Sequence, residues 1–222
     1  FISTVSHELR TPLTSISGSL GLILGGVTGN IDEKSRHMLS IAKRNADHLK
    51  LLIDDLLDIE KLIAGNMPMA PEEQDFGTCV TTAIEEIQPF AKQRHVRITL
   101  RDGSPGLTAL FDSIRLKQAL TNLLSNAVKF SHEHGEVLVD IESSESAARI
   151  LVKDQGIGVP ESFRSRIFQK FAQADGSVTR GQGGTGLGLA ITREIMTQMG
   201  GSVGFNSAEG QGSTFWLEFP LS

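Results

Sequence analysis

Apolar residues at a three-four spacing open the chain: Ile2, Val5, Leu9, Leu13, Ile16, Leu20 and Ile23. At ~100° per residue they share one face, the stripe of an amphipathic or coiled-coil helix. Gly25 to Asn30 (GGVTGN) interrupts the pattern, and Asp32 then stands where a second long helix needs its cap. Ile41, Asn45, Leu49, Leu52, Leu56, Ile59 and Ile63 form the seam of that helix, polar only at Asn45. Two long helices joined by a short turn predict an antiparallel hairpin. One stripe per helix makes a thin core, which such hairpins complete by pairing with a second copy into a four-helix bundle. A homodimer is therefore expected.

Residues 64–75 (AGNMPMAPEEQD) hold two prolines and a Gly-Asn pair, the composition of a linker with room for one short edge strand. The pattern then changes. Helices are predicted over Thr78 to Gln93, from an Asp112 cap through Lys129, and over Leu187 to Met199. Strands are predicted at Val96 to Leu100, Leu107 to Phe111, Glu136 to Glu142, Arg149 to Lys153, Gly201 to Asn206 and Ser213 to Phe219. Helices mixed with antiparallel strands predict an α+β sandwich, one sheet with helices on one face, and Trp216 reads as a residue of its core. The expected organisation is a helical dimerisation domain over 1–64, a linker over 65–75 and the α+β domain over 76–222.

Composition narrows the class. Hydrophobic residues at 39% and charged residues at 21% are those of a globular chain. No apolar run approaches the ~20 residues that span a bilayer, and no signal-peptide pattern is present. A net charge of −5 and a pI near 5.7 argue against a nucleic-acid partner. Cys79 is the single cysteine, so an internal disulfide or a metal site of paired cysteines is excluded, and a reducing, cytoplasmic setting fits. The first residues already lie within a helical pattern. The expectation is a fragment of a longer protein whose sensing region, with any membrane anchor, lies elsewhere; the fragment itself makes no membrane contact.

The first chemical constellation is SHELRTPL, Ser6 to Leu13. His7 falls almost opposite the Leu9, Leu13 and Ile16 stripe, where an imidazole faces solvent and can meet a second domain. One ring nitrogen of a neutral imidazole can attack while the other keeps its proton. Glu8 beside it can hold that proton and orient the ring. Thr11 lies one turn on, and Pro12 removes a helical hydrogen bond just beyond. A lone exposed histidine is ordinarily just a solvated side chain; the segments further along change that reading. His37, His48, His95, His132 and His134 show no metal-binding spacing.

Four of those segments converge on a nucleotide. In NLLSNAVKF (Asn122 to Phe130), Asn126 is one helical turn beyond Asn122, and Lys129 is three residues further. An Asn126 oxygen suits Mg²⁺, which takes oxygen ligands and keeps water and phosphate in its shell. Lys129 offers a point charge to phosphate. Taken alone, the same residues read equally as the polar stripe of an amphipathic helix. In DQGIGVP (Asp154 to Pro160), a strand-end carboxylate can accept from an adenine amino group, while Gly156 and Gly158 let the backbone approach a flat base. In IFQKF (Ile167 to Phe171), Phe168 and Phe171 read as anchors of a loop over the site or, equally, as core. In GGTGLGLAI (Gly183 to Ile191), Gly184, Thr185, Gly186, Leu187 and Gly188 open a helix whose free amides suit a phosphate chain. The polar stretch before it reads as a lid, with Arg180 available to phosphates. Neither a Walker A loop nor a dinucleotide fingerprint is present.

With these five segments in this order, the whole chain resembles the sensor histidine kinases of two-component signalling. SHELRTPL is similar to their H box, NLLSNAVKF to the N box, DQGIGVP and GGTGLGL to the two G boxes, and IFQKF to the F box. The resemblance implies a dimeric phosphoacceptor hairpin followed by a Bergerat-type ATP-binding sandwich. It implies autophosphorylation of His7 from ATP, with Glu8 as base, Asn126 as Mg²⁺ ligand and Asp154 as adenine partner. The sandwich would swing near Gly65 to bring the γ-phosphate to His7. The phosphoryl group would then pass to an Asp of a response-regulator receiver domain. Glu8 and Thr11 match the family's E-x-x-T pattern, which implies phosphatase activity toward that partner as well. The rival readings are a plain Bergerat-type ATPase, which has no such hairpin upstream, and a degenerate dimeric scaffold, which would have lost His7, Asn126 or Asp154.

Overall fold

The computed structural model describes residues 2–65, 67–101, 106–173 and 184–221; the side chains of residues 2–8 and 63 lie outside that description. The chain divides into two compact units, Phe1–Asn66 and Met67–Ser222.

The first unit is a pair of helices, α1 (Ile2–Leu24) and α2 (Glu33–Ile63). Gly26 and Gly29 between them take φ of +85° and +93°, which a residue without Cβ adopts freely. Asp32 caps α2 by accepting the Ser35 N–H at 2.9 Å. Arg10 donates to Asp54 from Nε and Nη2, and Ser17 and Lys43 both donate to Asp47, so the two helices are held in one register. Half-exposed pairs of this kind add only about 0–1 kcal/mol each, so they select alignment more than they stabilise. Leu13, Ala46, Ile53 and Leu57 are buried, whereas Leu9, Ile16, Ile41 and Leu49 remain 39 to 50% exposed.

The second unit runs β1 (Glu72–Asp75), α3 (Phe76–Gln93), β2 (Arg97–Leu100), β3 (Thr108–Phe111), α4 (Ser113–Phe130), β4 (Glu136–Ser143), β5 (Ala147–Asp154), α5 (Glu161–Arg164), α6 (Gly188–Gln198), β6 (Ser202–Ser207) and β7 (Ser213–Pro220). Five strands form one sheet in the order β2-β4-β5-β7-β6. All neighbours are antiparallel except β2 and β4, which are parallel, a departure from the expected pattern. Alternation sets the core. Val137, Val139 and Ile141 on β4, Ile150 and Val152 on β5, and Leu217 and Phe219 on β7 are all buried. Helix α4 packs on these three strands with α3 and α6 beside it, and its Leu116, Leu120, Leu123 and Leu124 have almost no exposure. Each such side chain stabilises by roughly 1.5–3 kcal/mol.

Two expectations need correction. Strand β3 does not join the main sheet but pairs with β1 in a separate two-stranded ribbon, Glu72 opposite Phe111. A strand inside the sheet must hide alternate residues, and β3 hides only Phe111 while Leu110 is 67% exposed. Trp216 is not in the core. With Leu217 and Phe219 turned inward, position 216 points to the other face. There its indole lies against Gly204, where a Cβ would come within 2.3 Å of the ring, and the Arg149 guanidinium stands 5.7 Å from the ring centre.

Candidate nucleotide-binding site

Strand β5 ends on Asp154, which is 5% exposed. Its Oδ1 accepts the Gly156 N–H at 2.8 Å, and the Ser213 backbone amide also supports the carboxylate. Burial pushes this carboxyl above its usual range, while those amides and the nearby His132 pull the other way. The turn that follows depends on glycine. A Cβ on Gly156 would lie 2.1 Å from the Phe130 carbonyl at the end of α4. Gly158 has φ of +68°, and a Cβ there would lie 2.1 Å from the Ala208 carbonyl. The result is a buried anion at a strand end, beside a backbone thin enough to admit a flat ring.

Sequence reasoning missed the other half of this wall. Gly212, with φ of +82°, packs so closely that a Cβ would be 2.2 Å from the Asp154 carbonyl. Ser207 Oγ accepts the Val159 N–H at 2.8 Å and lies 2.9 Å from the Gly212 carbonyl and 3.0 Å from Ser213 Oγ. The signal was the EGQGS run between β6 and β7, a glycine-rich turn of the kind that lets two backbones meet.

The second wall joins α4 to the start of α6. Asn122 Nδ2 donates to the Gly188 carbonyl at 3.2 Å, and a Cβ on Gly188 would be 3.5 Å from the Asn122 amide. A Cβ on Gly184 would stand 3.0 Å from Lys129 Nζ, so the lysine reaches the glycine-rich stretch. Its ammonium lies 4.6 Å from the centre of the Phe130 ring. Burial, and then the charge of Arg94, lower the Lys129 pKa, a state that a phosphate would reverse by pairing with the ammonium. Asn126 is half-buried on α4, one turn beyond Asn122.

The helix starts differ in a telling way. Asp75 caps α3 and Asp112 caps α4 with their carboxylates, but no side chain caps Leu187 at the start of α6. Amides of a first helical turn have no intrahelical acceptor, and an anion satisfies them. Just before, Thr185 is buried and its Oγ1 accepts the Leu187 N–H at 3.1 Å. Leu187 is fully buried and anchors the turn. Gly186 takes φ of +70°, and a Cβ there would be 2.9 Å from the Phe171 backbone. Phe171 itself has φ of +59° and is 58% exposed, while Phe168 packs edge-on against Phe205 at 5.8 Å.

The second unit thus brings Asn122, Lys129, Phe171, Gly184, Gly186 and Gly188 together along one wall, with Asp154, Gly156 and Gly158 beside the C-terminal end of α4 at Phe130. Arg180 and Gly183 lie outside the described residues, as do the side chains of His7 and Glu8, whose backbone belongs to α1. Thr11 is exposed on α1. Among the described residues no cluster of His, Cys, Asp or Glu could hold a metal ion. Mg²⁺ nonetheless suits Asn126, because this ion needs few protein oxygens when phosphates and water complete its shell.

Residues 111–222 match the model of the histidine kinase-, DNA gyrase B- and HSP90-like ATPases, and residues 1–65 match the His Kinase A (phospho-acceptor) domain. The chain belongs to the histidine kinases, with a phosphoacceptor domain followed by an ATP-binding domain. It is 37% identical to the circadian input-output histidine kinase CikA of Synechococcus elongatus, covering 99% of this chain and 29% of that one. It is 38% identical to the sensor histidine kinase AruS of Pseudomonas aeruginosa, covering 100% of this chain and 22% of that one. The chain therefore spans less than a third of these relatives. Full-length ShkA, solved with AMPPNP, superposes with a TM-score of 0.79 at 33% identity over 98% of this chain and 44% of that one. Among the described residues, no helix is long and apolar enough to cross a membrane.

Proposed function

We propose that the second unit binds ATP and that its γ-phosphoryl group is transferred to a ring nitrogen of His7. The observation that carries this reading is a buried Asp154 beside the C-terminal end of α4 together with an uncapped α6 start fastened to Asn122, about two turns back along the same helix. An ATP molecule has the matching polarity, an amino group at one end and phosphates at the other. The likeness to ShkA, solved with AMPPNP, supports ATP as the nucleotide.

Asp154 accepts from the adenine amino group, and the Gly156–Gly158 turn admits the ring. Asn122 ties the α6 start to α4, so the amides of Gly188 and its neighbours face the phosphates in fixed positions. Lys129 neutralises phosphate charge. Bound Mg²⁺, held by Asn126, would neutralise more of it. Glu8 holds the proton of the His7 ring while the other nitrogen attacks phosphorus and ADP leaves. Phosphoryl transfer of this kind is mostly positioning and charge neutralisation. The acceptor after His7 is an Asp carboxylate of a response-regulator receiver domain, and Thr11, one turn from His7, positions a water that hydrolyses the resulting aspartyl phosphate to Asp and inorganic phosphate. The half-exposed Leu9, Ile16, Ile41 and Leu49 are the face for a second copy, and the reaction belongs to the cytoplasm, where ATP is supplied.

Incubation with γ-labelled ATP and Mg²⁺ tests this. Acid-labile, base-stable label is expected on the wild-type chain and none on His7→Gln; label retained on the variant would remove His7 as acceptor.

A further inference from the structure

Behind Asp154 lies a buried serine that the chemistry above does not use. Ser207 closes β6 and is 9% exposed. Its Oγ accepts the Val159 N–H at 2.8 Å, gripping the chain just beyond Gly158. The same oxygen lies 2.9 Å from the Gly212 carbonyl and 3.0 Å from Ser213 Oγ. A hydroxyl has one proton and two lone pairs. Donating to Gly212 while accepting from Val159 and Ser213 uses all three.

The register explains the reach of that oxygen. Ser213 on β7 is paired with Asp154 on one side and Ser207 on the other. Its backbone amide supports the Asp154 carboxylate, and its hydroxyl meets Ser207. Ser207 therefore fastens both chains that define the position of the carboxylate: the outgoing turn through Val159 and the incoming strand through Gly212 and Ser213. From outside, Arg164 Nη2 donates to the Ser207 carbonyl, while its Nη1 pairs with Glu161 at 2.8 Å. The guanidinium spans α5 and the end of β6.

We propose that Ser207 is a positioning residue for purine recognition, setting the Asp154 carboxylate and the Gly156–Gly158 turn at the spacing that an adenine edge requires, with Arg164 holding Ser207 in place. This rests on the reading of Asp154 as the adenine partner. Adenine presents an amino donor to that carboxylate, whereas guanine presents a carbonyl that the carboxylate repels. Correct positioning therefore appears as a preference for ATP over GTP. A serine that merely holds the fold together would change stability without changing that preference.

The test is titration of the full chain with ATP and with GTP, alongside thermal unfolding of each variant. For Ser207→Ala, ATP affinity is expected to fall about tenfold and GTP affinity less than about threefold, the scale of one misplaced charged hydrogen bond. Ser207→Thr keeps the hydroxyl and should restore the preference to within about twofold, and Arg164→Met should erode it by about threefold. A Ser207→Ala chain that melts earlier but keeps the wild-type preference overturns the proposal. If that variant does not fold, Arg164→Met and Ser213→Ala decide, and an unchanged preference in both overturns it. Asp154→Asn separates the two readings. Loss of preference there, with none lost in the serine variants, sinks only the role of Ser207; no loss there sinks the adenine assignment and this proposal with it.

Discussion

The two units treat their apolar residues in opposite ways. In the sandwich, Phe76, Phe111, Leu116, Leu120, Leu124 and Ile150 have no exposed surface within a single chain. In the hairpin, Leu9, Ile16, Ile41 and Leu49 keep 39 to 50% of theirs. The sandwich finishes its core alone; the hairpin carries a stripe that only another surface can finish. Nucleotide binding and assembly should therefore be separable by mutation, with lesions in one unit leaving the other's property intact.

The largest expected effect comes from the sandwich. On the proposed adenine contact, Asp154→Asn removes a charged acceptor and should weaken ATP by about ten- to a hundredfold, measured by titration. Sedimentation of the same variant should show unchanged association. A loss of dimer there would break the separation.

Next is the converse lesion. Ile16→Glu with Leu49→Glu puts charge on the open stripe and should raise the dimer dissociation constant by more than about tenfold, since each apolar side chain left unburied forgoes ~1.5–3 kcal/mol. ATP affinity should stay within about twofold of the wild type by the same scale. A variant that still sediments as a dimer would place the interface elsewhere.

Smaller effects sharpen the picture of the sandwich. Asp112 accepts the N–H groups of Ile114 and Arg115 at the start of α4 and that of Ala70 from the segment before β1. Asp112→Ala should cost about 1–2 kcal/mol in denaturant unfolding of this unit, with the hairpin unaffected.

The smallest effect is a pH dependence. Burial raises the Asp154 pKa above its unfolded value of 3.8, so the fold binds that proton more tightly than the unfolded chain does. The stability it contributes is fully present below the ordinary carboxylate range and is lost as pH rises through the raised value. Asp154→Asn without nucleotide should therefore melt slightly above the wild type at neutral pH. That gap should close as the pH falls through the window. Melting curves across mildly acidic pH check the sign, and a gap that widens on acidification would contradict the burial argument. Binding and stability would then pull against each other at one carboxylate, as they often do at functional sites.

Most helices were legible because their signals are local. Asp32 and Asp112 stand directly before periodic apolar runs, and both cap the helices that follow. Helix α3 begins earlier than its pattern implied, at Phe76, because Asp75 rather than a later residue supplies the cap. Strand pairing was less legible. Nothing local in Thr108–Phe111 says that it pairs with Glu72–Asp75 rather than with the large sheet. The candidate site divides the same way. Asp154, Gly156 and Gly158 stand out as a carboxylate and two glycines within one strand-end turn. Ser207, Gly212 and Ser213 acquire their positions only from the β5-β7-β6 register, a long-range property of the sheet.

Trp216 has a practical consequence. The chain has one tryptophan and no tyrosine, so its near-ultraviolet emission comes almost wholly from an indole on the open face of the sheet, beside Gly204 and Arg149. Melting of the hairpin is dark to that emission, whereas far-ultraviolet dichroism sees both units. Two heating curves from one cuvette, one optical signal each, would therefore report whether the halves come apart together or one after the other.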